Sequence, residues 1–310
     1  MRSLLVLLCC LPLLAGPPKL RRTHVRIPVW VDAGEGSSRS ALNAQELTAK
    51  LEGAPARVLA VRGPSDDLIL LLVLDLVGDL ALVDPAKQAL VTGLQQLPPN
   101  AHVALMRAPD GLRVLLDPTT DRAALADAIQ SLPASGKAGL LEAVEPASRI
   151  ADSILVKSAV RLAVLYVTDS DIYNYREDYT NPVINFSDPG DLSRRFPEGL
   201  VREKISKLKT RLAALQAPLF VVHLSYRTDR LNEAYQTGLM QLTQITGGTS
   251  IFCHSSAEIP AAVEKTLATI AAHYSVDLEA PDRPPEIIEV ELEAAGRTLN
   301  YRTRFSLKER

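Results

Sequence analysis

Cysteine is scarce in this chain: three in 310 residues, two of them adjacent at Cys9 and Cys10. If residues 1–16 are cleaved away, Cys253 is the only thiol left, so no internal disulfide can form and core burial must stabilise the fold unaided. Aromatic residues are also few, with only five Phe, so Leu, Val and Ala must fill the interior. The formal net charge of -2 comes with no basic stripe, which excludes nucleic acid as an expected partner. No segment after the N-terminus is long and apolar enough for a membrane helix. No Gly-x-Ser-x-Gly elbow and no paired-His metal motif is present.

What remains is ample for a folded protein. Apolar residues make up 47% and charged residues 23%, and 310 residues allow one large domain or two modest ones. The N-terminus reads as an export signal over residues 1–16. Arg2 supplies positive charge, Leu4 to Leu14 an apolar run, and Ala15-Gly16 a small-residue cleavage region. Pro12, Pro17 and Pro18 argue against a buried first strand. Cys9 and Cys10 lack the preceding small residue of a lipid-attachment signal, so cleavage and export, to the periplasm or outside the cell, is the expectation.

The most informative stretch is residues 68–79, Leu-Ile-Leu-Leu-Leu-Val-Leu-Asp-Leu-Val-Gly-Asp. Its seven leading aliphatics are too few for a bilayer and too uniform for a strand with one wet face. They predict a central strand buried on both sides of a parallel sheet, releasing Asp75 and Asp79 around Gly78 at its carboxyl end. Open α/β sheets place their ligands at that end. A second strand at 160–168, apolar from Leu162 to Val167, ends at Asp169. Helices are expected near 85–97, with Asp84 as N-cap and Pro85 in the first turn. Further helices are expected at 121–132, 140–155 (kinked or split by Pro146), 200–215, 231–245 and 257–272. Strands at 219–224 and 249–253, and a strand pair around Pro109-Asp110-Gly111, complete the block. Alternating strands at 24–32, 274–278, 287–292 and 299–305, with short elements between 42 and 61, predict a small β module. The expected organisation is 23–62 and 273–310 packed together, with an α/β domain at 66–272 inserted between them.

The order of elements and loops resembles a von Willebrand factor type A domain over residues 66–272. The flanks resemble the secreted bacterial family called VWFA-related, through residues 246–249, Tyr274-Ser-Val-Asp-Leu, and Val290-Glu-Leu with Tyr301-Arg-Thr-Arg. The resemblance implies a doubly wound, mainly parallel sheet. It also implies a metal-ion-dependent adhesion site on three loops, with Asp-x-Ser-x-Ser in the first, Thr in the second and Asp in the third. Carried over, Asp75 matches the first Asp and Asp169 the third-loop Asp. Val77 replaces the first Ser, Asp79 the second, and Ala138 stands where the Thr would be. Mg²⁺ demands near-octahedral oxygen coordination, and Val77 and Ala138 offer no side-chain oxygen. The site is therefore degenerate. No cofactor is expected beyond weak Mg²⁺, Mn²⁺ or Ca²⁺ on Asp75, Asp79 and Asp169; otherwise these acids cap helices and accept backbone N–H bonds.

Enzyme readings fit less well. A phosphatase-type nucleophile at Asp75 wants a second acid where Val77 stands. Ser135-Gly136-Lys137 lacks the leading glycine and the metal-binding hydroxyl of a phosphate loop. Gly247-Gly248 is a helix-to-strand turn. The five histidines lie far apart, and Cys253 and His254, adjacent on a strand, point to opposite faces. The expectation is a non-enzymatic exported protein that binds another protein, or an envelope or matrix component. Its binding edge is formed by residues 75–79, 135–139 and 169–198, with Tyr173, Tyr175 and Tyr179 as candidate contact surface. The alternatives are a cation-dependent receptor using Asp75, Asp79 and Asp169, and an exported hydrolase with an acid nucleophile.

Overall fold

The computed structural model describes residues 24–32, 41–175, 197–280 and 285–306. The aliphatic run forms strand β5, Leu68–Asp75, at the centre of a six-stranded sheet. On one side β5 pairs in parallel with β6, Ala101–Arg107, and on the other with β8, Arg161–Thr168. The sheet then extends in parallel through β9, Leu219–His223, to β10, Ser250–Phe252. At the opposite edge β7, Arg113–Thr119, turns back antiparallel onto β6 through Asp110 and Gly111, both at positive φ. The fold class expected from the sequence, a doubly wound and mainly parallel sheet, is the one observed.

A sheet covered on both faces needs two apolar layers, and the alternation within β5 supplies both. Leu71 and Val73 face a core built with α3 (Leu140–Lys157), α4 (Pro197–Leu212) and α5 (Arg230–Thr246). Leu68, Leu70, Leu72 and Leu74 face the other core, with α1 (Leu80–Gln95), α2 (Arg122–Ser131) and α6 (Ile259–Ala272). Both faces are dry, which is why no polar residue interrupts the run.

Three expectations are corrected in detail. Helix α1 starts five residues before Pro85, because Asp79 and not Asp84 is its N-cap: the Asp79 side chain accepts the Ala81 N–H at 3.2 Å. Pro85 then lies inside the helix, and the carbonyl it leaves unbonded belongs to Ala81, which is exposed to water. Pro146 does not split α3, which runs unbroken past it; the carbonyl freed there is on exposed Glu142. The strand expected over 299–305 is two strands, β13 (Leu299–Tyr301) and β14 (Arg304–Ser306). Arg302 breaks the run because its buried guanidinium is drawn away to the Ala213 and Leu215 carbonyls.

The terminal segments pair with each other. Strand β1, His24–Val31, lies between β11, Tyr274–Glu279, and β13, and β11 also pairs with β4, Val58–Arg62. A second sheet orders β14, β12 (Ile287–Ala294), β2 (Leu47–Leu51) and β3 (Ala54–Ala56). The strict alternation of β12 sends Ile288, Val290 and Leu292 inward to meet Val25, Ile27 and Leu278 of the other sheet.

Three arginines, each with almost no exposed surface, tie the parts together, Arg26 and Arg302 from the sandwich and Arg161 from the start of β8. Arg26 donates to the Leu155 and Ser158 carbonyls at the end of α3 and pairs with Asp277 at 2.6 Å. Arg302 takes the carbonyls just beyond α4, and burial pushes its guanidinium down to about 9. Arg161 donates to the Ala271 and His273 carbonyls at the end of α6 and to those of Pro64 and Asp66. Helix C-termini expose unpaired carbonyls and partial negative charge, so a planar cation is a suitable cap. All these contacts lie at the end of the sheet opposite the candidate site.

Candidate functional site

The strand order reverses between β5 and β8, and Asp75 and Asp169 stand at the carboxyl ends of those neighbours. Asp75 is register partner of Thr168. Such a reversal opens a crevice at the sheet edge, the expected ligand position in this architecture.

Asp75 has no exposed surface. Its Oδ1 accepts the Gly139 N–H at 2.8 Å, and its Oδ2 accepts the Leu140 N–H at 3.2 Å, so it caps the start of α3. The same Oδ2 accepts hydroxyls from Ser170 at 2.9 Å and Thr168 at 3.1 Å. Gly139 permits this approach: a Cβ there would stand 2.1 Å from the Ala108 carbonyl oxygen. Burial pushes the Asp75 carboxyl up to about 6, opposed by the bonds from Gly139, Ser170, Thr168 and Leu140.

Asp169 reaches back in the other direction. Its Oδ1 accepts the Val77 N–H at 2.7 Å, and its Oδ2 accepts those of Gly78 at 3.1 Å and Asp79 at 3.0 Å. Consecutive amides converging on one anion form a nest, and here it sits at the N-terminus of α1. Gly78 makes the turn with φ at 145°, a conformation that side chains resist. The structure thus brings Asp75 and Asp169 to adjoining loops, while Asp79 points outward as a helix cap.

Below the loops lies a polar layer that the sequence alone did not single out. His223, fully buried, receives the Ser225 N–H on Nδ1 at 3.3 Å, so its Nε2–H donates to the Ser170 carbonyl at 2.9 Å. Burial lowers its imidazole to about 4, leaving it neutral. The buried Tyr235 ring lies 6.1 Å from it, and Tyr166 is buried on the neighbouring strand. The only legible signal was the position of His223 at the end of an apolar strand.

Tyr175 corrects the contact surface expected from the sequence. It is buried in the core, and its hydroxyl accepts the Leu141 N–H at 3.2 Å, because the short helix Ile172–Tyr175 turns it inward. Tyr173 on the same turn stays 48% exposed and donates to Asp229 at 3.0 Å. Tyr179 lies outside the described residues, as do residues 1–16, on which the expected export signal falls. Two exposed groups at the same edge were missed: Leu80, 61% exposed after the first loop, and Tyr226, 36% exposed after β9. The Tyr226 ring lies 4.7 Å from that of His254. Cys253, by contrast, is buried, and burial pushes its thiol up to about 11, far from a reactive thiolate.

No family model matches the chain, and no curated protein matches it. Among solved structures, the protein BatB from Bacteroides thetaiotaomicron is 14% identical, covering 66% of this chain and 98% of its own, with a TM-score of 0.40. The vWF domain of the type V pili tip protein Mfa5 from Porphyromonas gingivalis is 13% identical over 66% of this chain and 95% of its own, at 0.44. A von Willebrand factor type A protein from Catenulispora acidiphila is 11% identical over 92% of this chain and 74% of its own, also at 0.44. At such identities and TM-scores these likenesses decide nothing about this chain. The sheet itself gives the architecture, with its antiparallel edge strand, helices on both faces and three loops meeting at the switch point. The chain has a doubly wound, mainly parallel α/β fold.

The cation that the resemblance to von Willebrand factor type A domains implies does not fit the residues present. Val77 and Ala138 carry no side-chain oxygen, and both oxygens of Asp75 and of Asp169 already accept N–H or O–H donors. Among the described residues, no group of three or more His, Cys, Asp or Glu is placed to hold a metal ion.

Proposed function

We propose that this protein is an exported, non-enzymatic interaction protein that holds another protein, or an envelope or matrix component, at the carboxyl edge of its sheet without using a cation. The observation that carries the reading is the exposure of Leu80, Tyr173 and Tyr226 on three successive loops of that edge, above a base of buried hydrogen bonds. Large apolar and aromatic side chains on a rigid support make strong contact anchors at low entropic cost. The full burial of Asp75 counts against its use as a nucleophile in a hydrolase. Among the described residues no helix is long and apolar enough to cross a membrane.

The test is affinity capture from the envelope fraction of the host with chemical cross-linking. Wild-type protein is expected to retain a discrete partner equally with EDTA or Mg²⁺ present, and a Leu80→Asp, Tyr173→Ala, Tyr226→Ala triple variant to lose it. Equal capture by the triple variant would remove the edge from consideration. Loss of capture in EDTA would restore the cation-dependent receptor.

A further inference from the structure

We infer that Asp75 and Asp169 form a reciprocal carboxylate brace that takes over the assembling role of a metal ion, making the three loops preformed and indifferent to cations. The inference concerns how the edge is held together and stands whether or not the proposed partner surface is correct.

The bonds run in both directions. Asp75, at the end of β5, binds the second loop through the Gly139 and Leu140 amides and the third through the Thr168 and Ser170 hydroxyls. Asp169, in the third loop, returns to the first through three consecutive amides. The neighbouring β6–β7 turn is tied in as well: Arg107 donates to the Ser135 carbonyl at 2.6 Å, and Asp110 accepts the Lys137 N–H at 2.9 Å. A metal would join the loops by drawing oxygens from each to one point. Here each carboxylate draws hydrogens from the loops opposite, and the two acids sit on different loops.

The same arrangement explains why a cation would gain little. A metal ion is attracted by uncompensated anionic oxygen. The charge of Asp169 is met by three amide dipoles and that of Asp75 by two amides, two hydroxyls and the positive end of α3. A cation would have to displace those hydrogens, and Val77 and Ala138 leave it no neutral oxygen in exchange. Asp169 is on this view a positioning residue for the first loop. It fixes the backbone that leads into Leu80.

Hydrogen exchange on the full-length protein, read at single amides, tests this directly. In the wild type, protection at Val77, Gly78 and Asp79 should be unchanged by EDTA or by millimolar Mg²⁺, Mn²⁺ or Ca²⁺, and the thermal midpoint should stay still. Asp169→Asn keeps the shape but removes the charge and half of the acceptor, and should cost those three amides about tenfold or more in protection, since bonds to a charged acceptor are the strong ones. Asp169→Glu, which restores a carboxylate on a longer arm, should recover part of it. Asp79→Ala removes only an outward cap and should leave Val77 and Gly78 protected. A cation that raises the midpoint or protects these amides in the wild type would overturn the inference, as would unchanged protection in Asp169→Asn. If Asp169→Asn does not fold, the Asp169→Glu and cation experiments decide the matter.

Discussion

Replacing Asp75 separates two effects that pull in opposite directions. The carboxylate takes four donors, from Gly139, Leu140, Thr168 and Ser170. Asp75→Asn can keep its carbonyl on the Leu140, Thr168 and Ser170 side, but its NH₂ must then face the Gly139 N–H. One buried donor loses its acceptor, at a cost of about 1–3 kcal/mol. Asp75→Ala leaves the Gly139 and Leu140 amides unmet, while the Thr168 and Ser170 hydroxyls, 2.6 Å apart, can bond each other, and should cost about 2–6 kcal/mol at about 1–3 per stranded amide. The pH dependence is the sharper test. Burial raises the carboxyl from 3.8 to about 6 in the folded protein, so the native state binds its proton before the unfolded chain does. Stability from this group therefore rises as pH falls from 7 towards 4, by about 3 kcal/mol at ~1.36 kcal/mol per unit. Asparagine has no such gain. The cost of Asp75→Asn, from urea denaturation of both proteins at intervals between pH 4 and 8, should grow towards acid. A cost that is flat, or that shrinks towards acid, would show that the four donors outweigh burial and would refute the reasoning.

The two buried histidines act the opposite way. Burial lowers His223 and His273 from 6.5 to about 4, so the stability they contribute is complete above 6.5 and lost as pH falls towards 4. His273→Asn should flatten the acid limb of the wild-type stability curve, and an unaltered limb would exclude His273 as a cause. Arg161→Met should cost about 2–6 kcal/mol in chemical denaturation, about 1–3 for each of the Ala271 and His273 carbonyls it strands, while those of Pro64 and Asp66 keep the Asn100 side-chain amide. A loss below about 1 kcal/mol, the scale of a surface pair, would deny that role. Gly139→Ala should cost about 1–3 kcal/mol through the clash with the Ala108 carbonyl. It should also weaken exchange protection of the Gly139 amide; a neutral substitution would mean that the loop relaxes freely.

Much of the fold was legible in local patterns. An unbroken aliphatic run can be stable only where both faces are covered, so residues 68–74 announced a central parallel strand. The alternation of 287–292 announced a strand with one wet face, which the structure extends to Ala294. Helix boundaries were less legible where competing signals sat close together. Asp79 and Asp84 are both good caps, and the choice fell to Asp79 because the chain turns at Gly78 directly out of β5. Proline misled for a related reason. A helix tolerates Pro85 and Pro146 where the carbonyl left unbonded faces water, and the sequence does not mark which carbonyls do.

The candidate site divides in the same manner. Local pattern placed the two acids at the carboxyl ends of two buried strands, and residue identity alone showed that Val77 and Ala138 would bring no oxygen. That much follows from residue types and the two-residue period of a strand. That the two strands are neighbours is shown by the sheet order. Which atoms those acids would meet was decided by tertiary structure: Asp169 meets amides 90 to 92 positions away in the chain, and Asp75 meets those at the start of a helix that only packing brings near. The fate of Tyr173 and Tyr175 was decided at that level too, since a single short turn sends one ring outward and the other into the core. Periodicity is a property of neighbours along the chain. The partner of a carboxylate is set by whichever donors the folded chain leaves unpaired beside it.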